Sequence, residues 1–223
     1  MDYLESTEES VCPISGETPN EEMWNYRTHL LGFLYSIVGF VYLIAHSFRQ
    51  IGTSLFWGIF LFCLSEIFVY FASSMYHIQT DLRKKILFRK IDYVSIYFAI
   101  LGSGAPFLLG PLKEFFGLEM FFLLLVLTGL GSIFKLTLFD KFLPFSLSTY
   151  CFMTFLGVCH FGYLHSLLPG WSLFYISLKI FFGLVGLVFF RWDSLPYNHS
   201  IWHLMVLAGS FSTFMSILHL LNI

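Results

Sequence analysis

Seven long apolar runs constrain the fold of this chain more than any other feature. They cover approximately residues 29–48, 53–76, 92–110, 115–134, 143–163, 171–190 and 200–221. Each run is close to the roughly 20 residues with which an α-helix crosses the hydrocarbon core of a membrane. Only 12% of the residues are charged and 57% are hydrophobic, which is too little charge for a soluble domain of 223 residues. The sequence therefore predicts an all-α membrane protein, a bundle of seven transmembrane helices.

The segment before the first run has a different composition. Residues 1–24 are rich in Glu and Ser and include Pro13 and Pro19, which indicates a flexible polar tail before a seven-helix domain at residues 25–223. This segment lacks the basic start and apolar centre of a cleaved leader, so we expect the first helix to act as an uncleaved insertion signal. The four cysteines have no CxxC spacing, which argues against a disulfide framework or a thiolate zinc site.

The distribution of Lys and Arg between the loops predicts the orientation of the bundle. The N-terminal segment and the second, fourth and sixth loops hold nine of these residues: Arg27, Arg83, Lys84, Lys85, Arg89, Lys90, Lys135, Lys141 and Arg191. The opposite side holds two, Arg49 and Lys113. Because positively charged loops stay in the cytoplasm, we expect a cytoplasmic N-terminus and a C-terminus outside. The short loops and small size favour a bacterial inner membrane.

Five polar residues stand at the cytoplasmic ends of three predicted helices. Ser73 and His77 close the second run, Asp92 opens the third, and His199 and His203 open the seventh. The last two are four residues apart, so both imidazoles project from one helix face about one turn apart. The predicted topology brings these side chains into one layer near the inner edge of the membrane.

This combination matches the chemistry of a catalytic zinc site. Three neutral imidazoles, from His77, His199 and His203, leave the fourth position of a tetrahedral Zn²⁺ open for water. Zinc lowers the pKa of such a water to roughly 7, so that hydroxide is available at neutral pH. Asp92 is suited to bind that water and take its proton. Ser73, one turn before His77, is suited to support the site or to hold a polar group of the substrate.

Each of these residues also has a purely structural interpretation. A histidine at a helix end is usually an interfacial side chain, and an aspartate is favoured at any helix N-terminus. Unpaired polar groups in apolar runs are costly and tend to mark sites, so their joint placement favours a functional site. His29, near the start of the first run, is expected to pack against the site rather than to bind the metal. Deeper in the membrane, Glu66 and Lys179 are hypothesised to form a buried pair.

Four stretches carry a resemblance to a known family. They are Asn25–Gly32 (NYRTHLLG), Ser73–His77 (SSMYH), Asp92–Ile96 (DYVSI) leading into Gly102–Pro106 (GSGAP), and His199–His203 (HSIWH). The chain resembles the family that joins the hemolysin III proteins of bacteria with the adiponectin and progestin receptors of animals. The resemblance implies seven helices with a cytoplasmic N-terminus, and a zinc ion bound by His77, His199 and His203. It also implies Asp92 held to the zinc water with Ser73 beside it. The short tail is more similar to the compact hemolysin III branch.

Three functions follow from these features as hypotheses. The first is a zinc-dependent intramembrane hydrolase of a lipid amide or ester, for which the family implies a ceramide-like substrate. The second is a non-enzymatic membrane sensor or receptor in which zinc only ties helices together. The third is a membrane-lytic protein of the hemolysin type, although the few charged residues within the runs do not resemble a polar channel lining. We expect a membrane lipid as substrate or ligand, and no nucleic acid as a partner.

Overall fold

The computed structural model describes residues 11–48, 53–138, 143–159 and 161–222, which form α-helices and no β-strand. The helices are α1 (Pro19–Ser47), α2 (Thr53–Ile78), α3 (Leu82–Leu108), α4 (Leu118–Leu138), α5 (Leu143–Val158), α6 (Phe161–Leu167), α7 (Gly170–Phe190) and α8 (Asn198–Leu220), with a π-helical turn (Lys113–Gly117) before α4. Seven segments are long and apolar enough to cross a membrane, and α5 and α6 together supply the fifth. The predicted seven-helix membrane fold is therefore confirmed.

The first helix begins inside the segment that the sequence analysis assigned to a flexible tail at 1–24. Pro19 occupies the first turn of α1, and the helix continues from there without interruption. Thr18 caps this start, because its side chain accepts the backbone N–H of Glu21 while the Glu21 carboxylate accepts the backbone N–H of Thr18. This reciprocal arrangement is a capping box, a strong helix-start signal. It corrects the predicted boundary, and only residues 11–18 of the described tail precede the helix.

The third helix also begins earlier than its apolar run. α3 starts at Leu82, ten residues before the predicted start at residue 92, because the Asp81 side chain accepts the backbone N–H groups of Arg83 and Lys84. An aspartate in this position satisfies donors that have no partner within the helix. The first turns of α3 are therefore a polar extension of a membrane-spanning helix. Arg49 and Lys141, which enter the charge count, lie outside the described residues.

Polar and apolar side chains are distributed inside out relative to a water-soluble protein. Large apolar residues lie on the outer surface, such as Val38 at 70% exposure and Leu184 at 65%. Small polar residues are buried between helices, such as Ser36 at 4% exposure and Thr213 at 0%. Outward apolar surface suits a hydrocarbon solvent, in which small residues mediate contacts between helices.

Close packing of α2 against α3 depends on two glycines. A Cβ on Gly58 of α2 would lie 2.6 Å from the backbone oxygen of Ala105, and a Cβ on Gly102 of α3 would overlap the side chain of Ser65. α3 continues through Gly102 and Pro106 to Leu108. Small residues let the two backbones approach, as is common between membrane helices.

Replacing Gly58 with alanine is expected to destabilise the bundle by about 1–3 kcal/mol, because the added methyl group overpacks a backbone contact. Thermal unfolding of the purified protein in detergent measures this change. Gly129→Ala on α4 is the matched control, since a Cβ there meets nothing within 4 Å. Equal melting temperatures for Gly58→Ala and the control would show that the α2–α3 contact does not limit stability.

Four helix ends meet on one face of the bundle. Glu21 in the first turn of α1 accepts the backbone N–H of Tyr197 at 3.1 Å, which joins the start of α1 to the start of α8. Glu22 reaches His77 at the end of α2 and Lys85 in the first turns of α3. The predicted layer of polar residues lies at this face.

Candidate metal centre

The first half of α1 faces the site with a stripe of buried polar and small residues. Glu22, Asn25, His29, Gly32 and Ser36 are all buried. They follow one another at intervals of three or four residues, which places them on one face of the helix. This stripe supplies partners to the histidines of other helices.

Three histidines meet beside this stripe. One nitrogen from each of His77, His199 and His203 lies within 4.8 Å of the other two. The ring centroids are 5.2 Å apart for His77 and His199, 5.1 Å for His77 and His203, and 4.4 Å for His199 and His203. His77 is 4% exposed and His203 is 2% exposed. The structure therefore brings together the three histidines that the sequence singled out.

The hydrogen bonds of two of these rings fix which nitrogen faces the cluster. The Nδ1 atom of His77 lies 2.8 Å from the Glu22 carboxylate. The Nδ1 atom of His203 lies 3.1 Å from the backbone oxygen of Asn25 and 3.1 Å from the Thr28 hydroxyl. Carboxylate and carbonyl oxygens accept hydrogen bonds, so each Nδ1 carries the proton and each Nε2 keeps its lone pair.

This arrangement fits a metal ion. Nε2 of His77 is buried and has no hydrogen-bond partner among the described residues. A metal-bound histidine almost always donates its other ring N–H to a carboxylate or carbonyl, which is the pattern of His77 and His203. The three histidines could therefore hold one metal ion through imidazole nitrogens.

Comparisons with known proteins show the family of the chain. The family model for haemolysin-III-related proteins matches residues 18–214, from the cap of α1 into α8. The chain belongs to the haemolysin-III-related family. It is 32% identical over 204 residues to a "Hemolysin-3 homolog" of Bacillus subtilis, covering 90% of this chain and 94% of that protein. It is 32% identical over 201 residues to "Hemolysin-3" of Bacillus cereus, covering 89% of this chain and 90% of that protein.

A more distant relative comes from plants. "Heptahelical transmembrane protein 1" of Arabidopsis thaliana is 26% identical over 238 residues, covering 91% of this chain and 70% of that protein. No solved structure matches the chain significantly. The seven apolar helices and the family membership make this a multi-pass integral membrane protein. The Bacillus relatives favour the bacterial plasma membrane as its location.

Ser73 and Asp92, the two predicted catalytic residues, contact each other. Ser73 is 1% exposed and lies one helical turn before His77 on α2. Its hydroxyl lies beside the Asp92 carboxylate on α3. Asp92 is not one of the residues whose ligand atoms meet in the histidine group. The contact places Asp92 beside the part of α2 that carries His77, and the catalytic roles of both residues stay a prediction.

Glu22 is the carboxylate that sequence reasoning missed. One of its oxygens lies 2.8 Å from His77, and the other lies 2.8 Å from Nζ of Lys85. Lys85 is 2% exposed and also donates to the backbone oxygen of Tyr76 at 3.3 Å. Glu22 thus links α1, α2 and α3 around one histidine. The signal that could have found it is its spacing of three and seven residues from Asn25 and His29.

Replacing Glu22 with glutamine is expected to weaken metal binding by roughly 10- to 100-fold, the usual effect of losing a group that orients a ligand histidine. The amide keeps the shape but removes the charge that holds the His77 proton on Nδ1. Competition for zinc against a chelator of known affinity measures the change. Glu119→Gln, at an exposed position on α4, is the control. Equal affinity in both variants would mean that Glu22 serves only the packing of the helices.

His29 lies against the site without joining it. Its ring stacks on His203 with centroids 3.5 Å apart and meets the ring of Tyr70 edge-on at 5.1 Å. Both of its ring nitrogens are buried and have no hydrogen-bond partner among the described residues. This agrees with the expectation that His29 packs beside the site rather than serving as a ligand.

A polar cavity of about 490 Å³ adjoins the site on the side of the helix ends. It is lined by Glu17, Glu21, Asp193 and Asn198, among others, and Asn198 directly precedes His199. Burial and the neighbouring carboxylates Glu21 and Glu22 raise the pKa of Glu17 to about 7. The cavity therefore lies between the start of α1 and the segment that leads into α8.

The raised pKa of Glu17 predicts a pH dependence of stability. The folded state holds the Glu17 proton more tightly than the unfolded state, for which the ordinary value of 4.5 applies. The contribution of Glu17 to the free energy of unfolding is therefore greatest below about pH 4.5, and it falls as the pH rises to about 7. Melting temperature measured across this range should fall less in Glu17→Gln than in the wild type. Parallel curves for the two proteins would contradict the assignment.

Proposed function

We propose that this membrane protein is a zinc-dependent hydrolase that cleaves an amide or ester bond of a membrane lipid, with a ceramide-like molecule as the candidate substrate. The observation that carries the proposal is the convergence of three imidazoles, from His77, His199 and His203, at the polar end of an apolar bundle. Three histidine ligands leave one position open, which is the ligand set of catalytic rather than structural zinc sites.

The chemistry proposed for the site is that of other zinc hydrolases. Zinc held there would lower the pKa of water to roughly 7 and polarise the carbonyl oxygen of the substrate. Residues of this chain orient the imidazole rings. Glu22 accepts the Nδ1 proton of His77 and the backbone oxygen of Asn25 accepts that of His203, so both Nε2 lone pairs are available to bind the metal.

Asp92 is the proposed proton carrier. Its carboxylate takes a proton from the attacking water as the new carbon–oxygen bond forms, and returns it to the leaving amine or alkoxide as the old bond breaks. Ser73 contacts Asp92 and so holds the carboxylate in position. The apolar surface of the bundle faces the acyl chains of the membrane, and the polar cavity lies at the start of α8, next to Asn198.

The proposed orientation places this site at the cytoplasmic side. The histidine layer lies at the same bundle face as Arg83, Lys84 and Arg191, which follow α2 or α7. Positively charged segments of this kind stay in the cytoplasm. Labelling of single cysteines placed at the two ends of the chain, in intact cells, tests the orientation.

A second candidate is a membrane sensor or receptor in which zinc ties helices together without catalysis. The observation that favours it is the connectivity of the site, since α2 and α8 supply the histidines and Glu22 joins α1 and α3 to His77. In that case the metal contributes mainly to stability.

One experiment separates the two candidates. Purified protein in lipid nanodiscs, loaded with zinc, is incubated with a short-chain ceramide and with a matched lipid ester. The hydrolase proposal expects turnover that is lost, together with zinc, in His199→Ala. Removal of zinc that lowers the melting temperature, with no turnover of either lipid by the loaded wild type, would support the structural role and contradict the hydrolase.

A further inference from the structure

A second polar cluster lies in the centre of the bundle, away from the metal centre. Glu66 on α2 is 5% exposed, and it precedes His77 by 11 residues, which is about 16 Å along the helix axis. It does not touch the histidines, so the proposed hydrolysis leaves it without a role. An ionisable side chain at membrane depth is costly and marks a functional site by default.

The Ser210 hydroxyl lies beside the Glu66 carboxyl, and one oxygen of the carboxyl is orphaned. Ser210 on α8 contacts the carboxyl, and the Ser210 hydroxyl in turn accepts the hydroxyl of Tyr70 at 2.7 Å. Oε2 of Glu66 is buried and has no partner among the described residues. A permanent carboxylate in the membrane centre would require several donors, and this site offers one.

Lys179 on α7 does not form an ion pair with Glu66 among the described side chains. The two side chains interact electrostatically without direct contact. The Lys179 side chain runs past Gly209 of α8, where a Cβ would lie 3.9 Å from its Cγ. The pairing hypothesised from the sequence is therefore a longer-range interaction, and Glu66 is left with a partly compensated charge.

A small cavity of about 10 Å³ adjoins the carboxyl, between α1, α2 and α8. Tyr35 and Ser36 line it together with Glu66, and the Tyr35 hydroxyl is also buried without a described partner. The volume is near the lower limit for one water molecule. Such a water would have two unsatisfied polar groups to bind, Oε2 of Glu66 and the hydroxyl of Tyr35.

We propose that Glu66 is an exchangeable proton site in the membrane centre, with one water molecule in the adjoining cavity as the proton carrier. In the protonated state the proton is on Oε2 of Glu66 and the carboxyl is neutral. On release the O–H bond breaks, the proton passes to the water, and the carboxylate that remains faces the Ser210 hydroxyl and the Lys179 ammonium. The titratable groups around it are Tyr35 on α1, Cys63 and Tyr70 on α2, and Lys179 on α7.

Infrared difference spectroscopy of the purified protein tests this directly, with and without bound metal. We expect a carbonyl band of a protonated carboxylic acid that decreases as the pH is raised, shifts in deuterated water, and is missing in Glu66→Gln. Glu119→Gln, at an exposed position on α4, should keep the band. The lack of such a band at any pH would overturn the proposal in favour of a permanent carboxylate. A band that changes neither with pH nor in deuterated water would also overturn it, because the proton would then not exchange.

Two milder variants keep the test decisive if Glu66→Gln does not fold. Tyr35→Phe and Ser210→Ala retain the carboxyl and remove one neighbouring hydroxyl each. Because these hydroxyls face the proposed proton and its water, each variant should shift the frequency of the band. Unchanged frequencies in both would place the protonated group elsewhere and overturn the proposal. The metal-free sample should give the same result, so the outcome is independent of the hydrolase proposal.

Discussion

Replacing His203 with alanine is expected to abolish metal binding while leaving the seven-helix fold assembled. His203 is buried among His77, His199 and His29, and no other described His, Cys, Asp or Glu joins its group of ligand atoms. Losing a group that only orients a ligand already weakens metal affinity by roughly 10- to 100-fold. Losing the ligand itself should weaken it further, so that the metal is removed during purification. Metal analysis of the purified variant measures the effect.

The chain offers a matched control on the same helix. His219 lies 16 residues beyond His203 on α8, and its ring stacks on Tyr175 with centroids 5.5 Å apart. His219→Ala removes an imidazole of similar helical context and should retain the full metal content. A metal content that falls equally in both variants would point to general unfolding, and full retention in His203→Ala would remove this residue from the ligand set.

Replacing Asp92 with asparagine is expected to keep the metal and to lower lipid turnover by about 10²- to 10⁴-fold, the contribution usual for a positioned general base or acid. Asparagine preserves the contact with Ser73 but cannot carry a proton. Because Asp92 is outside the group of ligand atoms, zinc content should be unchanged. Single-turnover hydrolysis of the lipid by the loaded variant separates this chemical effect from substrate binding.

The control for Asp92 is an acidic residue on the same face without a proposed role. Asp193 is exposed and lines the polar cavity beside the start of α8, so Asp193→Asn should keep full turnover. Unchanged turnover in Asp92→Asn would remove it as the proton carrier. Glu22, whose carboxylate contacts His77, would then be the candidate.

The convergence of the three histidines could be predicted because run length fixes depth in a membrane. A helix that crosses the bilayer has its two ends at known levels, so His77 at the end of one run and His199 at the start of another had to lie in one layer. The spacing of His199 and His203 then fixed their common helix face. This reasoning needs no knowledge of how the helices pack, which explains why it succeeded.

Glu22 and Lys85 could not be found in the same way. Glu22 lies in an acidic, proline-containing segment whose composition is that of a flexible tail, and only the capping box at Thr18 makes it part of α1. Lys85 was counted as a loop charge, but the early start of α3 buries it against Glu22. Both positions depend on tertiary contacts between helices that are far apart in sequence, and hydropathy carries no information about such contacts.

X-ray absorption at the zinc edge of the purified wild-type protein tests the central claim most directly. The account predicts one zinc ion per chain with three imidazole nitrogens at about 2.0–2.1 Å. If any metal stays bound in His77→Ala, the spectrum should show two imidazole nitrogens around it. A spectrum without imidazole scattering, or an identical spectrum from His77→Ala, would contradict the claim that α2 and α8 share one metal ion.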